Sequence, residues 1–230
     1  MNPFLLLISL LPAALLLLRV YQLDKIEKEP PKLLLKMIGG GALGGAAAAL
    51  AETLLLRVLS AYLDAHGLGY LLLSNFAAVA LVEEFCKRLP VRLIAWRDSA
   101  FDYRFDAVVY CVFSALGFAA LENVLVVARL GLGAALSRAV LSVPGHFFFA
   151  VYMGVYLGEA KAAEREGELF LLDRHLAASL LVPTLLHGFW DFALFSGSET
   201  MTVLFYVFVL VFFLLASLRL REAAEQDTKL

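Results

Sequence analysis

The chain has 230 residues, 62% of them hydrophobic, with 19 Lys and Arg against 21 Asp and Glu and a net charge of −2. Its mean hydropathy is +0.83, far above that of a soluble domain, which sits nearer half apolar. The balance leaves no basic surface for nucleic acid, and two cysteines, Cys86 and Cys111, make no disulfide framework.

The first apolar run, Asn2 to Val20, has no basic residue ahead of it, and Arg19 and several lysines follow. A cleaved signal peptide has the opposite charge order, so this run reads as a retained membrane helix. Seven spans fit, each near the 20 residues or so that cross about 30 Å of hydrocarbon. They are Pro3–Arg19, Leu33–Leu56, Tyr70–Leu93, Phe105–Ala128, Ala135–Leu157, Leu176–Phe195 and Met201–Leu218. The expected class is therefore an all-α, polytopic protein of the cell membrane. It reads as a single integral-membrane domain over residues 1–230 with its working core at about 70–195. Alternate connections hold 16 of the 19 basic residues; the others hold only Arg57, Arg129 and Arg138. The basic side faces the cytoplasm, which predicts an outer N-terminus and a cytoplasmic C-terminus.

The second span carries Gly39 to Gly41, Gly44 and Gly45. Small residues four apart let two helix backbones approach closely, so tight packing is expected here. Glu52, near the outer end of that span, reads as an interfacial or packing carboxylate.

The next four spans each carry ionisable groups where charge costs several kcal/mol, which marks a functional site by default. The third has Glu83 and Glu84 with Lys87 at i+4 and i+3, close enough to pair along the helix. The fourth has Glu122 and Asn123, the fifth Pro144, Gly145 and His146, with Arg138 eight residues earlier, and the sixth His187 and Asp191 on one helix face. Pro144 is expected to kink the fifth helix and aim His146. Counted from the outer ends, the glutamate pair lies about 13 residues in, Glu122, His146 and His187 about 7 or 8, and Asp191 about 5, which at about 1.5 Å per residue gathers them into one slab. Two histidines with several carboxylates supply the ligands of a catalytic zinc site.

In this order the motifs resemble the PrsW family of intramembrane metalloproteases and, more distantly, the type II CAAX prenyl endopeptidases. The likeness rests on Glu83, Glu84 and Lys87, then Phe118 with Glu122 and Asn123, then Arg138, Pro144, His146 and Phe149, then His187 and Asp191. Where the CAAX pattern has a histidine in its second motif this chain has Glu122, and it adds His146. The resemblance implies a polytopic protease that cuts a membrane-anchored protein; in the namesake members that substrate is an anti-sigma factor. The expected mechanism has one divalent metal, zinc, held by His146, His187 and Glu122, with Asp191 as orienting partner or alternative ligand. Glu83 or Glu84 is the general base, Glu83 preferred, and Asn123 hydrogen-bonds the oxyanion or holds the substrate backbone. Lys87, Phe118, Arg138 and Phe149 support the site. From the residues alone, the rival reading is a proton- or ion-coupled transporter using a Glu/His/Asp relay.

Overall fold

The computed structural model describes residues 3–230. Seven of its helices are long and apolar enough to cross a membrane: Pro3–Leu23, Pro31–Tyr62, Leu68–Ala95, Asp106–Leu130, Leu132–Glu166, Leu169–Phe195 and Glu199–Glu225. They are numbered here as spans one to seven. Among the described residues the only β pairing is an isolated antiparallel bridge between Tyr103 and Lys229.

The middle of the chain is the middle of the molecule. In the most apolar window of each helix, 61% of residues are buried in the fourth and fifth spans but only 17% in the first and sixth. Apolar side chains on the outer spans, such as Leu43, Leu93 and Leu210, are about three-quarters exposed. Lipid solvates such side chains, so the outer faces need no protein cover. The fourth span packs on the second, fifth and first, and the fifth on the sixth. Glu122 and His146 thus lie on the two most enclosed helices.

Backbone contact between spans depends on glycine. A Cβ on Gly41 would lie 1.8 Å from the Ser114 carbonyl oxygen, and one on Gly117 would lie 2.2 Å from that of Ile38. The second and fourth helices therefore touch main chain to main chain, as the small-residue spacing predicts. Gly44 does the same against the Cys86 carbonyl of the third span, and Gly40 makes room for the Pro90 ring.

Two spans are not simple helices. The third contains wide turns over Leu73–Ala80 and Val91–Ala95. In the second of these the Trp96 N–H reaches the Val91 carbonyl at 2.9 Å, five residues back. Pro90 just ahead of that turn has no N–H to donate, and a wider turn relieves its ring. The fifth span is a short helix, Leu132–Val140, followed by a long one, Ser142–Glu166. The break comes at Leu141, with φ −113° and ψ −66°. Pro144 lies in the first turn of the new helix rather than at a kink inside a continuous one. The first N–H groups of a helix have no intrahelical partner, so a proline costs little there. The long helix runs to Glu166, and Gly167 closes it at φ +77°.

Candidate active site

The four expected motifs meet in one cluster around Lys87. Its side chain is fully buried, and its ammonium lies 2.8 Å from Glu83 Oε2, 2.7 Å from Glu84 Oε1 and 2.8 Å from His146 Nδ1. An ammonium has three donors and no acceptor, so all three are spent here. The contact assigns the tautomer of His146: Nδ1 accepts from Lys87, and Nε2 carries the hydrogen and donates to Glu122 Oε2 at 3.0 Å. The Phe118 ring lies under the ammonium, 4.6 Å from its centroid.

His187 enters from the sixth span. Its Nδ1 is 2.9 Å from Glu84 Oε1, and its Nε2 is 3.4 Å from Asp191 Oδ2. Glu83 Oε2 stands between the imidazoles, 3.9 Å from His146 Nδ1 and 4.0 Å from His187 Nε2. The ring of Phe149 stacks on His187 with centroids 5.0 Å apart. Gly188 makes room beside it, since a Cβ there would fall 2.3 Å from the Phe76 ring.

Adjacent glutamates on a helix point about 100° apart, and the two differ accordingly. Glu83 lines a cleft of about 200 Å³ with Glu122, Arg138, His146, His187 and Asp191, and Phe149 and Trp190 form its apolar wall. Glu84 is wholly buried, and its Oε2 has no hydrogen-bond partner.

Asn123 does not reach the cleft. It is fully buried, its amide donates to the Ser9 carbonyl at 2.6 Å, and its oxygen accepts from Arg138 Nε at 2.7 Å. Arg138 uses its other end to pair with Glu122 Oε2 at 2.8 Å. Asn123 thus ties Arg138 to the first span. Ser9 and Trp190 are site neighbours that the sequence motifs do not name. The first offers only its main-chain carbonyl, which no residue type signals. The second is one of two tryptophans and sits beside Asp191.

Of the metal donors expected from sequence, the structure brings His146, His187, Glu122 and Asp191 to one cleft. The group whose ligand atoms already lie within 4.8 Å of one another is Glu83, Glu84 and His146. These donors fit a divalent cation on two grounds: carboxylate and imidazole donors converge, and one buried carboxylate oxygen is unspent.

The sequence matches the PrsW family intramembrane metalloprotease over residues 29–217. The chain belongs to that family. The Protease PrsW of Oceanobacillus iheyensis is 31% identical over 214 residues, 93% of each chain. That of Shouchella clausii is 30% identical over 220 residues, 96% of this chain and 97% of the relative. That of Geobacillus kaustophilus is 40% identical over 119 residues, about half of each. No solved structure matches. As a PrsW family member with seven membrane-length helices, the chain is a multi-pass membrane protein. All four motifs of the cluster fall within the matched residues.

Proposed function

We propose that the chain is a metal-dependent endopeptidase that cuts a membrane-anchored protein, an anti-sigma-factor-like single-span substrate being the form the family suggests. The observation that carries this reading is the meeting of two histidines and three carboxylates, from four spans, at one open cleft inside the bundle, with Glu84 buried behind them. With the N-terminus outside, as the basic residues predict, the cleft opens toward the outer half of the membrane.

His146, His187 and Asp191 would hold the ion, His146 through the Nδ1 that here accepts from Lys87, so metal binding requires the ammonium to leave that nitrogen. Each imidazole has one nitrogen on a carboxylate, His146 on Glu122 and His187 on Glu84. Such partners fix ring orientation and raise ligand basicity. Glu122 is therefore assigned to orienting His146, and Asp191 is preferred as third ligand. When bound, a zinc ion supplies Lewis acidity, bringing the pKa of water toward about 7 and polarising the scissile carbonyl. Glu83 accepts the proton of the attacking water and returns it to the leaving amine; it alone of the glutamate pair faces the cleft. Arg138 presents a guanidinium to the cleft and Asn123 positions it. Phe149 and Trp190 exclude lipid and bulk water from one side of the reacting groups.

One observation favours a second reading. Lys87 already balances Glu83 and Glu84. In that reading Glu83 activates water with Lys87 as the local cation.

Metal content per chain in detergent-purified protein separates the two, taken beside cleavage of a reconstituted single-span reporter. The first reading expects one zinc per chain, lost in His146→Ala and His187→Ala. Glu83→Gln keeps the metal but cleaves about 10²- to 10⁴-fold more slowly. Folded, cleavage-competent protein without metal under non-chelating conditions overturns the first reading in favour of the second.

A further inference from the structure

Away from the active site, the end of the third span holds basic groups with no carboxylate in ion-pair contact. Among the described residues Arg88, Arg92 and Arg97 make no ion pair, and Arg88 Nε and Arg92 Nη1 are buried without a hydrogen-bond partner. Arg92 and Arg97 line a pocket of about 330 Å³ with Leu93, Trp96 and Glu164. Trp96 is its floor: the Arg92 guanidinium lies over that ring, 3.9 Å from the centroid. Glu164 is bonded elsewhere: it accepts from Lys161 Nζ at 2.6 Å and from Trp96 Nε1 at 2.9 Å, and it reaches Arg92 only as a longer-range charge.

A second cavity adjoins this one. A groove of about 310 Å³ runs between the second and third spans, lined by apolar residues that include Gly44, Ala47, Cys86 and Leu89, and Leu93 belongs to both cavities. Its lining is apolar, and Leu93 is 74% exposed. The helices touch here through Gly40 and Gly44, so the furrow is shallow and free of large side chains at its base. A helix is about 10–12 Å across, so this volume holds less than one turn of it. An unbranched hydrocarbon chain needs far less width.

We propose that these joined cavities bind one anionic phospholipid, its phosphate between Arg92 and Arg97 and one acyl chain along the groove between the second and third spans. The recognised chemistry is a phosphate, which a free anion also carries; the groove that continues from it selects the lipid. Basic pockets at the cytoplasmic membrane boundary attract anionic headgroups, and this one lies at the end of the third span, where the basic residues concentrate. Arginine suits the task because its planar fork meets two phosphate oxygens at once.

The test is native mass spectrometry of the detergent-purified full chain, titrated with phosphatidylglycerol or phosphatidylcholine, with inorganic phosphate as competitor. One retained phosphatidylglycerol per chain is expected, with phosphatidylcholine held more weakly. Arg92→Gln with Arg97→Gln should weaken retention about 30-fold. Ala47→Phe, which fills the groove from an exposed position, should weaken phosphatidylglycerol but not phosphate, and Arg174→Gln should change neither. If loss of Arg92 from the Trp96 face disturbs folding, Arg97→Gln and Ala47→Phe carry the test, since both positions are exposed. Equal retention of the two lipids, or wild-type retention in both of those variants, overturns the proposal. Competition by phosphate together with indifference to Ala47→Phe shows a free-anion site and overturns the lipid assignment.

Discussion

Lys87 holds the site together at the scale of single residues. Its ammonium has no water to turn to, and its three partners are each drawn to it. The cost of burying a charge is met only while the partners remain. Lys87→Met leaves Glu83 and Glu84 adjacent, buried and without a cation, so thermal unfolding in detergent should show a loss of about 3–5 kcal/mol. Added zinc should restore part of it if the ion binds among the same groups, by mass action on the folded state. A variant as stable as wild type would mean that the two carboxylates are protonated and need no cation. The residue types of this cluster were legible in the sequence because ionisable groups in apolar spans stand out. Their atom-level partners were not. Glu83 and Glu84 both meet Lys87 but differ in surroundings, because one bearing on the helix also faces the cleft and the other faces His187. Asn123 finds Ser9, 114 positions away in the chain, and no spacing rule couples those two.

At the scale of elements, periodicity and length recovered all seven spans, while their irregularities were hidden. The proline at 144 pointed to a kink, yet the helix stops at Leu141 and restarts. A proline in the first turn and a proline in the interior look alike until the break is seen. The wide turns of the third span were also invisible, because apolar residues satisfy a 3.6-residue and a wider period alike when both faces meet apolar surroundings. The glycines of the second span were the readable exception, since their spacing states how close two backbones come. Gly41→Ala places a methyl where the Ser114 carbonyl stands, so the second and fourth helices must separate. The expected loss is about 1–3 kcal/mol in thermal unfolding. Gly39→Ala, with open space at its Cβ, is the control and should be neutral or slightly stabilising.

Across the whole molecule, the odd-numbered spans end on one face, and three of those ends are stitched together. The last residues fold back on the connection between the third and fourth spans: the Leu230 N–H donates to the Asp102 carbonyl at 2.7 Å, and the Arg104 N–H to that of Thr228 at 3.1 Å. Asp227 Oδ1 accepts from the Phe105 N–H at 2.8 Å. Asp24 and Glu29, in the connection after the first span, lie beside this tail and are almost wholly buried. Burial pushes the carboxyl of Asp24 up to about 6, against Lys28, with Asp227 adding to the rise. Burial likewise pushes Glu29 up to about 7, opposed by the hydroxyl of Tyr110, which donates to it. Asp227 is also raised by burial, with Asp102 adding to it. The folded face therefore binds protons that an undocked tail, with ordinary carboxylates, releases. Its stability is greatest where the raised groups are protonated and falls as pH rises through about 6 to 7. Hydrogen exchange at the Leu230 and Arg104 amides should be slower relative to an unstructured reference at pH 5.5 than at pH 8. Asp24→Asn should flatten that difference by removing one charge that ionisation creates beside Asp227. Protection that grows with pH instead would mean that Lys28 and Lys229 hold these carboxylates ionised, and that the tail is fastened by ion pairs rather than by protonated acids.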